Sequence, residues 1–297
     1  MKRPILRALG AALGYFAIFL GTQIVISALL STVLSAFIGF EIGLEMSMGG
    51  TGVEEMLDPE QIAALVEERL LSQITALTPV LLLISQLITL PLLALPSLLR
   101  REPILPRLSL RPARGGVIAG AMGLGVCFNL LVQLVFSLLP ASWLQSYADS
   151  SAMLSEAHPV LLLLTSVLLA PIVEEILFRA LIQGSLSRAM PAAAAIAITS
   201  VLFGAAHGDF IWFLYAAALG VMLSLLMHRT GSLFPSLAMH FGFNLCGFIL
   251  PYLLASMSDL WAYLMLGVFG VGGSALLVVL LWHLTRKREK GESLDAL

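Results

Sequence analysis

The sequence predicts an all-α, polytopic membrane protein of about eight transmembrane helices with cytoplasmic N- and C-termini. Three observations carry this. The 297 residues are 59% hydrophobic and 11% charged, against about 25% charged in an ordinary soluble domain. The apolar residues fall into runs near the ~20 that a spanning helix needs. Lys and Arg cluster between alternate runs, as the positive-inside rule requires.

The predicted spans are 9–38, 71–98, 115–139, 159–182, 192–208, 210–227, 232–255 and 260–284. They leave no room for a soluble domain, so residues 1–297 read as one integral membrane domain. The first span follows Lys2, Arg3 and Arg7, which resemble the basic end of a signal peptide. The apolar run behind them, Leu9 to about Phe40, far exceeds an h-region of about 7–15 residues. An uncleaved helix is expected.

Segment 41–70 reads as an acidic outer loop with a short helix. It carries Glu41, Glu45, Glu54, Glu55, Asp58, Glu60, Glu67 and Glu68. Asp58 can cap that helix, Pro59 suits its first position, and Gln61 sits where a capping box wants it. The helix is expected to run from Pro59 into the second span. Arg100, Arg101, Arg107, Arg111 and Arg114 follow that span, and Arg188 and Arg229 mark later inner loops. Arg286, Lys287, Arg288 and Lys290 lie near the end of the chain, and only Arg69 breaks the alternation.

Gly116, Gly120, Gly123 and Gly125 in the third span, and Gly267, Gly270, Gly272 and Gly273 in the eighth, allow close helix contact. Cys127 and Cys246 lie in apolar runs and read as small buried hydrophobes. No long basic stretch exists, which argues against a nucleic-acid partner. Membrane lipid is the expected surrounding.

Function concentrates in the few polar residues at membrane depth. Glu174 and Glu175 interrupt an apolar run, and a carboxylate in hydrocarbon costs at least a few kcal/mol. Arg179 is four residues beyond Glu175, so the two share a helix face and are placed to pair. Glu174 then points about 100° away. The fifth span brings His207 and the seventh His240 with Asn244, again four apart. Asn129 and Gln133 read as interhelical glue. If the fourth, fifth and seventh helices meet, Glu174, His207, His240 and Asn244 line one polar cavity.

That set suits hydrolysis. A carboxylate can serve as general base for water, and imidazole and carboxamide groups can donate to an oxyanion. Glu174, His207 and His240 are also a zinc-ligand set with a position left for water. No HExxH helix occurs, and Asn244 suits an oxyanion site better than a zinc shell, so the cofactor is either none or Zn2+. Ser236 lies one turn before His240 without a nucleophile-elbow context. Intramembrane Glu and His also build proton relays, so a transporter or proton-coupled carrier is the alternative. A non-catalytic immunity or scaffold membrane protein is a third reading.

The ordered motifs Glu174-Glu175-xxx-Arg179, Phe203-xxx-His207 and His240-xxx-Asn244 resemble the CAAX-protease and bacteriocin-processing (CPBP, Abi) family of intramembrane proteases. The resemblance is to its type II CAAX prenyl endopeptidases. It implies a glutamate- or metallo-type peptidase in a bacterial or archaeal cell membrane, cutting a lipidated or hydrophobic peptide or protein. It implies a catalytic core over about 115–255. Glu174 would activate water, with Glu175 and Arg179 in support. His207 would orient water or substrate, and His240 with Asn244 would form the oxyanion site. Phe203 enters as a supporting residue.

One geometric conflict follows. Glu174 falls in the inner half of the fourth span and His207 in the outer half of the fifth, a mismatch of ~10–15 Å. It vanishes if the fourth helix continues to about Arg188, or if the fifth and sixth form a hairpin that does not span fully.

Overall fold

The computed structural model describes residues 2–47, 59–155 and 158–286. Nine helices arise in order among the described residues: α1 (Lys2–Ser47), α2 (Pro59–Leu99), α3 (Gly115–Leu138), α4 (Ala141–Ser155), α5 (Pro159–Ser187), α6 (Ala192–Ala205), α7 (Phe210–Thr230), α8 (Leu233–Leu254) and α9 (Asp259–Thr285). A one-turn 3-10 helix, Leu105–Leu108, lies between α2 and α3. Seven helices are long and apolar enough to cross a membrane, and α6 is a shorter apolar helix. The chain is an integral membrane protein. Its outer face is the reverse of a soluble one: Ile24, Leu29, Val33 and Phe37 of α1 are all exposed, as hydrocarbon permits.

One expectation changes at the N-terminal end: residues 41–47, read as loop, continue α1. The helix expected from Pro59 does run into the second span, as α2. The cap expected at Asp58 lies outside the described residues. With 46 and 41 residues, the two helices are about 69 and 62 Å long, well beyond a hydrocarbon core of about 30 Å. Arg69, the residue that broke the charge alternation, pairs with Glu45 across this hairpin at 3.2 Å. A polar stretch can stay helical outside the membrane when a neighbouring helix supports it, which hydropathy alone does not reveal.

The glycines of α3 serve contacts within the chain. An added Cβ at Gly125 would lie 2.8 Å from the Phe243 amide nitrogen of α8, and one at Gly120 would lie 3.2 Å from Leu281 of α9. Gly270 of α9 similarly abuts the Leu131 backbone of α3. So α3 lies between α8 and α9 and sets the position of α8. Gly125→Val would press on backbone that cannot give way. It is expected to destabilise the protein by about 3 kcal/mol, the upper end of ordinary overpacking. It should also impair the site through α8; thermal unfolding measured alongside activity checks both.

Helix α4 is an addition that hydropathy did not flag. Its Ser146 hydroxyl donates to Asp209 at 2.5 Å. Asp209 is also the N-cap of α7, accepting from the Ile211 and Trp212 amides at 2.8 and 3.1 Å. Its carboxylate therefore caps a helix and docks α4. Gly208, at φ 77°, supplies the left-handed turn between α6 and Asp209.

The Ser146 hydrogen bond, followed by the amides of the α7 N-terminus, holds the Asp209 carboxyl below its ordinary value. A depressed acid stabilises the fold above its unfolded-state value and loses that contribution as pH falls through its folded one. Amides of α4 should thus lose hydrogen-exchange protection below about pH 4. Asp209→Ala should cost about 1 kcal/mol and remove that acid dependence.

Candidate active site

Helix α5 departs from α geometry twice, in π stretches at Leu163–Leu169 and Glu175–Gln183. In the first, the Ala170 N–H turns to the Thr165 carbonyl. The next donor in π register would be residue 171, a proline without an N–H. The Ser166 carbonyl therefore lacks its helical partner, and Asn244 of α8 supplies one, its amide nitrogen donating at 2.8 Å. That bond ties α8 to α5 beside the glutamates.

Glu175 is fully buried and collects three partners. Arg179 Nε lies 3.4 Å away, one turn along. The Ser236 hydroxyl donates to Oε2. His240 Nδ1 lies 3.0 Å from Oε1; a carboxylate only accepts, so Nδ1 carries a hydrogen. The opposite edge of the same imidazole faces Glu174, with Nε2 3.6 Å from Oε2. That separation exceeds a hydrogen bond. The sequence reading sent the two carboxylates in different directions. They do diverge, and the two nitrogens of one ring meet both.

Phe203 of α6 is the apolar hub. Its ring lies edge-on to His207 (4.9 Å), Phe178 (5.1 Å) and His240 (5.6 Å). The Arg179 guanidinium carbon sits 4.4 Å from its centroid, within cation–π range. Its carbonyl lies 2.8 Å from His207 Nδ1. A carbonyl cannot donate, so His207 carries its proton on Nδ1 and presents Nε2 as an acceptor when neutral.

The depth conflict disappears. α5 runs to Ser187, which places Glu174 about 20 Å above that end. α6 has 14 residues, about 21 Å and too short to span, so His207 just beyond it reaches a similar depth. Glu174 and His207 line one cavity of about 350 Å3. Phe19 and Gln23 of α1, Thr78 and Gln86 of α2 and Trp212 of α7 line it too. A second cavity of about 440 Å3 between α1 and α2 shares Gln23, Thr78, Leu82 and Ser85 with it. No motif in the sequence had attached the first two helices to the site.

Residues 156–246 match the protein-family model described as "Type II CAAX prenyl endopeptidase Rce1-like". This segment is an Rce1-like domain. It spans α5 to the middle of α8 and so contains Glu174, Glu175, Arg179, Phe203, His207, His240 and Asn244. No curated protein and no solved structure matches the chain. The matched family implies a CAAX-type membrane peptidase in general terms, with a membrane-embedded peptide or prenylated protein as the substrate class.

Within the Rce1-like domain, sequence reasoning missed Ser236 as a partner of Glu175. It lies four residues before His240, so the shared helix face was its signal. The Ser166 carbonyl had a weaker one, the proline five residues on. For zinc, the donor types of Glu174, His207 and His240 fit, and each imidazole has its Nδ1 held by an outer partner as metal-bound histidines do. The spacing does not fit: among the described residues, no three His, Cys, Asp or Glu groups converge as a metal site. Cys127 and Cys246 are free thiols.

Proposed function

We propose that the protein is an intramembrane endopeptidase that hydrolyses a peptide bond in a lipidated or hydrophobic substrate with a glutamate-activated water. The observation that carries this is His240, set between Glu175 on Nδ1 and Glu174 at Nε2, beside a cavity that Glu174 and His207 line.

Glu174 takes a proton from water while His207 Nε2 accepts the other hydrogen and orients the nucleophile. The new C–O bond converts the scissile carbonyl to a tetrahedral oxyanion. His240, carrying a proton on both nitrogens, donates from Nε2 to that oxygen, and the second N–H of Asn244 adds to it. Glu174 then returns its proton to the departing amine as the oxyanion re-forms the carbonyl and the C–N bond breaks, leaving a carboxylic acid and a free amine that settle as carboxylate and ammonium. With Arg179 and His240 cationic and both glutamates anionic, the four charges sum to zero, which limits the cost of holding them in hydrocarbon.

The groove between α1 and α2 suits an apolar chain that enters sideways from the membrane. Residues 115–255 form the catalytic core in this reading, and both termini are cytoplasmic. The deciding experiment reconstitutes the protein in liposomes with prenylated and unprenylated hydrophobic peptides and detects fragments by mass spectrometry. New amine and carboxyl termini support the reading. Solute or proton flux without cleavage supports the carrier, and neither activity supports a scaffold. Elemental analysis of active protein decides the metal question: stoichiometric zinc whose removal abolishes cleavage overturns the metal-free mechanism.

A further inference from the structure

A third cavity, remote from the glutamates, is lined chiefly by cations. It holds about 540 Å3 at the end of the bundle where α1 begins and α5 ends. Five arginines from four parts of the chain line it: Arg3 and Arg7 of α1, Arg100 after α2, Arg107 of the 3-10 helix, and Arg188 after α5. Arg107 pairs with Glu102, and Arg188 Nη2 lies 3.3 Å from the Ser185 hydroxyl. Among the described residues, no carboxylate pairs with Arg3, Arg7, Arg100 or Arg188. The inside rule explains basic residues on this side of a membrane. It does not explain their convergence on one hollow, where like charges repel.

The second observation is Tyr15. It is 3% exposed and lines the same cavity, and its hydroxyl has no hydrogen-bond partner among the described residues. A buried hydroxyl without a partner costs free energy, which a ligand acceptor would relieve. Tyr15 lies eight residues beyond Arg7, about 12 Å deeper along α1. Ala8 and Ala11 line the wall between them. The hollow thus runs from a cationic mouth, past an apolar wall, to the Tyr15 hydroxyl.

We propose that this cavity binds the phosphate-bearing headgroup of an anionic phospholipid. Arginine forks match phosphate oxygens in pairs, and basic pockets between membrane helices suit such headgroups. The volume accommodates a headgroup rather than a bare ion. The same chemistry would accept a water-soluble phosphate, so the test separates the two.

Full-length protein in detergent is given phosphatidylglycerol, phosphatidylcholine or inorganic phosphate, and bound lipid is counted by native mass spectrometry, with thermal shift as a second readout. Phosphatidylglycerol is expected to be retained at least about tenfold better than phosphatidylcholine. Arg7→Gln with Arg188→Gln should remove that preference, and Tyr15→Phe should weaken it while keeping the ring. Arg111→Gln with Arg114→Gln removes equal charge from the same end outside the cavity and should leave the preference intact. A thermal shift with inorganic phosphate alone assigns the site to a soluble phosphate and overturns the lipid assignment. Equal retention of both lipids overturns it too, as does equal loss in the two double variants. If the cavity double variant fails to fold, Tyr15→Phe decides: unchanged preference overturns the proposal.

Discussion

Glu174→Gln is expected to abolish peptide hydrolysis while leaving the fold and substrate binding in place. Glutamine keeps the shape of the side chain and an oxygen that accepts, so the cavity is preserved. It cannot take a proton from water. General-base contributions are typically ~10²–10⁴-fold in rate, and a loss of that size in kcat with little change in KM is the signature expected. The carboxylate is partly exposed in the cavity it lines, so its neutralisation should scarcely move the melting temperature. Cleavage at the wild-type rate would remove Glu174 from the chemistry. A melting temperature that falls together with activity would assign it to structure.

Arg179→Met should be the more destructive change for stability. Arg179 and Glu175 are both fully buried and 3.4 Å apart. Removing the cation leaves Glu175 charged in a dry interior, a loss of about 3–5 kcal/mol in comparable buried pairs. Glu175→Leu combined with Arg179→Met removes both charges and should recover much of that loss. Activity should stay absent in the double variant, because His240 Nδ1–H and the Ser236 hydroxyl then lose their acceptor. Unfolding in denaturant beside a peptidase assay separates the two effects. A double variant no more stable than Arg179→Met would show that the pair is not what stabilises this region.

The helices and the polar roster were legible because their signals are local. A run of about 20 apolar residues announces a span, and the four-residue spacings of Glu175–Arg179 and His240–Asn244 announce shared faces. The joint grip on His240 was not legible, since it depends on where α3 sets α8, through Gly125 and its neighbours. Asn244 shows the limit of reading by residue type. A carboxamide near a histidine suggests an oxyanion donor, yet its observed bond goes to a backbone carbonyl that Pro171 leaves without a partner. Hydropathy scored α6 as a span, and only the depth mismatch between Glu174 and His207 pointed to a fifth helix too short to cross. The α1–α2 wall escaped for another reason. Gln23, Thr78 and Gln86 are common polar residues whose role exists only once α5 is placed behind them.

That wall lies wholly outside the Rce1-like domain, which begins at residue 156. In the proposed reading, bond cleavage and choice of cargo would reside on separate, consecutive stretches of one polypeptide. A chimera that exchanges residues 1–99 should inherit its reaction from the C-terminal donor and its substrate repertoire from the N-terminal one.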